Sequence, residues 1–117
     1  MPTLDDLQTE MTRDPAHWYV CFMDFVDAFR RAPSVDLLQQ PSASFDTQWS
    51  PLLAATAETL CREAQLVAPD WVESVPACPI PWFVSGVENL KAIALAESPL
   101  PFRRRKIFVL ANFLDRA

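Results

Sequence analysis

The chain has 117 residues and a formal net charge of −5; half of its residues are hydrophobic, and one Gly stands against eleven Pro. That length suits one domain, the apolar half excludes a disordered tail, and the negative charge argues against general affinity for nucleic acid, whose phosphates need neutralising. A turn-rich all-β domain is disfavoured too, because turns of types I′, II and II′ want the positive φ that Gly supplies.

Taken in chain order, Thr3 to Thr12 reads as a short helix. Thr3 or Asp5 is placed to cap it, and Leu4, Leu7 and Met11 form one stripe. Asp14-Pro15 predicts a restart, with Asp as the N-cap and Pro at the first helical position. Ala16 to Arg31 then carries Trp18, Phe22, Phe25, Val26 and Phe29 at helical spacing, with Asp24, Asp27 and Arg31 on the other side. Residues 34–40 predict a short helix capped by Ser34, and residues 41–44 a loop.

Ser50-Pro51 repeats the cap-plus-Pro start. Leu52 to Val67 is rich in good helix formers, with Leu53, Ala57, Leu60, Cys61 and Ala64 on one face. Pro69 to Glu73 predicts one or two helical turns. Pro76, Pro79 and Pro81 impose an extended connection from Val75 to Trp82 that cannot be a central strand; Trp71, Trp82 and Phe83 are expected to pin it to the helices. Val87 to Glu97 predicts a further helix, broken by Pro99 and Pro101. Phe102 to Ala117 reads as a helix through Ile107, Leu110, Ala111 and Leu114, although Ile107 to Leu110 alone would also fit a buried strand. The expectation is an all-α bundle of five or six helices in a single interaction domain spanning residues 1–117. Its core would draw on Trp18, Phe22, Phe25, Phe29, Leu53, Leu60, Leu90, Ile107, Leu110 and Leu114.

The charge is unevenly placed. Residues 1–65 hold ten acids against four Arg, and residues 66–117 hold five acids against six bases. Four of those bases are consecutive: Arg103, Arg104, Arg105 and Lys106. Consecutive residues on a helix fan out by about 100° each, so at most two would reach a common ligand. Either they pair with the acidic first half, or several meet a carboxylate- or phosphate-bearing partner, where the planar guanidinium is favoured.

Catalytic patterns are sparse. His17 has no neighbouring Cys or second His, so no metal spacing exists and no cofactor is expected. Asp24 and Asp27 share a helix face, but one pair without a third ligand is a solvated face or an acidic docking face rather than a cation site. Cys21, Cys61 and Cys78 are odd in number and widely spaced, and Met1 to Asp14 is polar without the form of a secretory leader. They are expected as reduced thiols in a cytoplasmic protein. A single Gly can build neither a P-loop nor a dinucleotide fingerprint, and Ser85-Gly86 lacks the flanks of a nucleophile elbow. No apolar stretch approaches the ~20 residues needed to span a bilayer.

The run Trp82 to Lys91, followed by Glu97 to Val109 and Asn112 to Ala117, resembles a family of small actinobacterial-type antitoxins whose genes neighbour nucleotidyltransferase-like toxins. The helix from Asp14-Pro15 to Arg30-Arg31 is similar as well, so the resemblance covers about two thirds of the chain. It implies a protein partner, a toxin enzyme, and transfers no catalytic residue. Some members carry a helix-turn-helix portion ahead of this region; 117 residues leave no room for a full one, so autoregulation through DNA is not expected.

The functional expectation is therefore a non-enzymatic protein that neutralises a toxin by occlusion. It would present Asp24 and Asp27 to a basic cleft, or Arg103 to Lys106 to an acidic rim with Trp82 and Phe83 as anchors. A phage or mobile-element inhibitor of a defence nuclease, acting by acidic mimicry, is the alternative. A small homodimeric enzyme using His17 with Cys61 or Asp24 is the third. Homodimerisation would give cover to exposed aromatics such as Trp49 or Trp71.

Overall fold

Capping, apolar spacing and proline placement translate directly into the element order. The computed structural model describes residues 3–39, 49–78, 80–84, 91–110 and 113–114. Among them are six α-helices: α1 (Leu4–Arg13), α2 (Trp18–Arg31), α3 (Trp49–Ala64), α4 (Trp71–Ser74), α5 (Lys91–Glu97) and α6 (Leu100–Arg103). Two short strands, β1 (Trp82–Phe83) and β2 (Ile107–Phe108), complete a mostly helical domain. The expected helix positions Val87, Leu90 and Ala111 and the expected loop at residues 41–44 lie outside the described residues.

Thr3 starts α1 through a reciprocal capping box. Its hydroxyl accepts the Asp6 N–H (3.3 Å), and the Asp6 carboxylate accepts the Thr3 N–H (3.0 Å). Asp14 departs from expectation. It caps no backbone N–H; its carboxylate meets His17 Nδ1 at 3.0 Å, and Pro15–His17 forms a 3-10 turn that leads into α2. Ser34 does cap its turn, accepting the Asp36 N–H at 3.3 Å ahead of the 3-10 segment Val35–Leu38. Trp71 ties α4 to that segment by donating its indole N–H to the Leu38 carbonyl at 2.8 Å.

Among the described residues, the buried hydrophobic side chains other than Ala94 form one contiguous cluster. α1 contributes Leu4, Leu7 and Met11; α2 contributes Phe22, Met23, Phe25, Val26 and Phe29. Leu53 and Leu60 are in it as expected, together with Ile107 and Leu114, whereas Trp18 and Leu110 are only partly buried. α3 differs from a one-faced helix: every residue from Ser50 to Ala57 is buried. A helix covered all round is a central helix, and Ala54, Ala55 and Ala57 are small enough to let neighbours close on every side. Its buried Thr56 hydroxyl is satisfied by donating to the Leu52 carbonyl at 2.8 Å.

The last stretch corrects the expectation of a helix from Phe102 onward. α6 stops at Arg103, and Ile107–Phe108 pairs in parallel with Trp82–Phe83, in the register Trp82 to Ile107 and Phe83 to Phe108. The Cys78 N–H donates to the Arg105 carbonyl (3.0 Å) and the Trp82 N–H to the Lys106 carbonyl (2.9 Å), so the Pro-rich connection runs beside this turn as a strand edge. Pro81 immediately precedes the pair, where a missing N–H breaks no ladder bond.

Among the described residues, two other than Gly take left-handed backbone: Gln65 (φ 59°) and Lys106 (φ 62°). Gln65 ends α3. The Leu66 N–H reaches the Cys61 carbonyl (2.8 Å) and the Gln65 N–H the Arg62 carbonyl (3.3 Å), which is the Schellman pattern that Gly usually closes. A side chain in that conformation stores strain. Gln65→Gly should therefore raise the unfolding free energy by about 0.5–1 kcal/mol, after the entropy Gly adds to the unfolded chain is set against the relieved strain. Urea denaturation with an unchanged m-value checks it, and a loss of stability would contradict the assignment.

Candidate functional site

The tetrabasic run sits where α6 turns into β2, and each cation takes its own direction. Arg103 points back to the end of α5, donating to the carbonyls of Ala96 and Ser98 at 3.1 Å each. There a cation complements the carbonyl end of a helix. Arg104 donates to both carboxylate oxygens of Glu73 (3.0 and 3.4 Å) and also pairs with Glu58. Arg105 is 4% exposed and donates to the Pro101 carbonyl (2.8 Å), the Val72 carbonyl (3.1 Å) and Glu58 Oε1 (3.0 Å). Lys106 is exposed, and its backbone serves β1.

Glu58, on α3, is the hub of this arrangement. It accepts from Arg104, from Arg105 and, one helical turn away, from Arg62 at 3.2 Å. Its side chain is 12% exposed. Two adjacent cations thus reach one carboxylate, from the turn that follows α6. Arg104 beside Glu73 holds the Glu73 carboxyl below its ordinary value, through a hydrogen bond first and charge second, and Glu73 raises Arg104 in return.

Trp82 and Phe83 serve the same end of the molecule. Trp82, Trp18 and Trp49 form a triangle with ring centroids 5.4 to 6.0 Å apart. Phe83 stacks on Phe108 at 5.1 Å, across the strand pair. Both residues are half-buried; Trp82 holds β1 against α2 and α3, and Phe83 ties it to β2.

The acidic candidates occupy a different surface. Asp24 is exposed and Asp27 half-buried on α2. Asp24 stands on the rim of a groove of about 220 Å³ between α1 and α2, lined by Asp6, Leu7, Glu10, Cys21, Asp24 and Phe25. Its walls are mostly apolar, from Leu7, Cys21 and Phe25. The sequence shows the ingredients as two amphipathic stripes, but not that the helices lie side by side and leave a furrow between their acidic edges.

His17 is exposed at the turn between α1 and α2 and is held by Asp14. Cys61 and Cys78 are buried, and burial pushes both thiols up, away from a reactive thiolate. Among the described residues no group of three or more His, Cys, Asp or Glu is arranged to hold a metal ion. No buried side-chain nitrogen or oxygen among them lacks a hydrogen-bond partner. No helix among them is long and apolar enough to cross a membrane. No family model, curated protein or solved structure matches the chain, so the functional argument rests on its own surfaces and residue strings.

Removing the Glu58 charge takes away the carboxylate paired with the buried Arg105 guanidinium, while Arg104 keeps Glu73. Glu58→Gln should lower the unfolding free energy by about 3–5 kcal/mol. Glu63→Gln, at the more exposed pair with Arg30 (2.9 Å), should cost under about 1 kcal/mol. Equal losses in urea denaturation would contradict the hub. The pH dependence has a definite sign. A depressed carboxyl stabilises the fold above its unfolded value, ordinarily 4.5, and that contribution disappears as pH falls through the lower folded value. Glu73→Gln should therefore flatten part of the acid limb of stability below that pH and leave the neutral region without added slope.

Proposed function

We propose that this chain is an antitoxin-like cytoplasmic protein that binds a toxin enzyme and neutralises it by occlusion, with no chemistry of its own. The observation that carries this reading is the α1–α2 face, where Asp6, Glu10 and Asp24 surround an apolar furrow. A toxin that handles nucleotides or RNA needs a basic cleft for phosphate, and an acidic face is complementary to it. The strings resembling the antitoxin-like family support the same partner class, a nucleotidyltransferase-like enzyme. Asp27, one turn along α2 from Asp24, adds to the negative charge of that helix. Within the tetrabasic run, Lys106 is the exposed tip that could meet an acidic rim beside Trp82 and Phe83, while Arg103, Arg104 and Arg105 hold that tip in place.

A second reading, inhibition of a defence nuclease by nucleic-acid mimicry, draws on the same acidic face. It differs in one observable: duplex DNA would compete the partner away.

The decisive experiment expresses a nucleotidyltransferase-like toxin enzyme with and without this chain. Growth arrest by the enzyme alone should be relieved by the wild-type chain, and the complex should weaken as salt is raised. Asp24→Lys combined with Asp27→Lys should lose the relief while keeping the helical circular-dichroism signal. Undiminished toxicity with no complex in size exclusion would refute the proposal.

A further inference from the structure

The groove between α1 and α2 invites a more specific reading, which rests on the partner-binding role above. We propose that it seats one bulky apolar side chain carried on a basic helical segment of the protein partner. An apolar cavity of ~150 Å³ can admit a benzene ring, so a groove of about 220 Å³ has room for a leucine- or phenylalanine-sized side chain. Leu7 and Phe25, 4% and 2% exposed, form a floor already fixed by the core. Two helices packed side by side offer a furrow that a third can fill, with its apolar anchor inward and its flanks over the rim.

The rim selects the flanks. Asp6 and Glu10 stand one turn apart on α1, and Asp24 faces them from α2. The Asp6 carboxylate accepts the Thr3 N–H, and Glu10 pairs with Arg13. That Arg13 pair is solvent-exposed, with side chains 68% and 46% accessible, so a partner cation can displace it at little cost. Lys or Arg on either side of the anchor would complement the rim. A nucleic acid or an anionic membrane would meet it with like charge. A second copy of this chain is disfavoured by the same argument: each carries a net charge of −5, and Arg103, Arg104 and Arg105 are engaged within the fold.

Cys21 lines the groove and is half-buried, whereas Cys61 and Cys78 are 1% and 3% exposed. A maleimide should therefore label Cys21 first in the folded protein, and its rate reports occupancy. The probes are a synthetic amphipathic helix of Leu, Lys and Ala and its counterpart with Glu for Lys. At ten times its Kd the Lys helix should slow Cys21 labelling about tenfold; the Glu helix should leave the rate unchanged. Protection should vanish in Glu10→Lys with Asp24→Lys, fade in the milder Glu10→Gln with Asp24→Asn, and persist in Asp36→Lys, off the groove. No protection by the Lys helix, equal protection by both helices, or protection surviving the double reversal would overturn the proposal. The toxin assay separates the two readings. A groove that binds the Lys helix in a chain that neutralises nothing sinks the antitoxin role alone. Full neutralisation by the double-reversal variant sinks the groove alone.

Discussion

A single buried guanidinium organises the C-terminal half of this molecule. Arg105 lies at 4% exposure, where an isolated charge would be costly. It is tolerated because the carbonyls of Pro101 and Val72 and the carboxylate of Glu58 all accept from it. Those acceptors belong to α6, α4 and α3, so one planar side chain fixes three elements at once. A lysine would not match it: its three donors radiate from one nitrogen, whereas Arg105 spreads its bonds over two terminal nitrogens of a rigid plane. The arrangement specifies geometry more than it adds net stability, since desolvation offsets much of the attraction in a buried pair.

This explains why the most conspicuous string in the sequence behaves differently from its appearance. Four consecutive cations look like a surface patch. In the fold, α6 and the turn after it send successive side chains to the end of α5, to Glu73 and Glu58, and into the core. The three arginines become fasteners within the fold, only Lys106 is left to solvent, and the charge of α1 and α2 is predominantly acidic. The separation was hinted at by the uneven distribution of acids and bases, but the partners Glu58 and Glu73 lie 46 and 31 residues away from Arg104. Nothing in local spacing identifies them.

Local features are legible in the sequence: the cap at Thr3, the Ser34 cap and the apolar stripe of α2 all depend on neighbours within a turn or two. The indole of Trp71 does act as a pin, but it fastens α4 to the Val35–Leu38 segment and not the Pro-rich connection. The failures are non-local. β1 and β2 are two residues each, too short for alternation to register, and their pairing joins segments 25 residues apart. α3 carries the spacing of a one-faced helix, yet its alanines permit burial on all sides once other helices arrive. Asp14 has two satisfactory options, a backbone cap or His17, and only the 3-10 turn at Pro15 decides between them. Of the candidate site, the acidic residues were visible and the furrow between them was not, because a groove is a property of two helices.

Scarcity of glycine has a structural counterpart. With one Gly in the chain, the left-handed positions that close α3 and enter β2 fall to Gln65 and Lys106. At Lys106 the strained backbone does something useful: its carbonyl receives the Trp82 N–H and so aligns the strand pair, while the side chain stays in solvent. The C-terminal half is thus held by long-range fasteners and the strain they offset. The α1–α2 hairpin is built from sequence-adjacent contacts, a capping box and an exposed rim. A binding face placed on that hairpin can change its charges without disturbing the buried network around Glu58. The arginines at and just after the end of α6 are thus engaged within the fold, while the charged rim of the α1–α2 groove, Asp6, Glu10 and Asp24, lies apart from the network around Glu58.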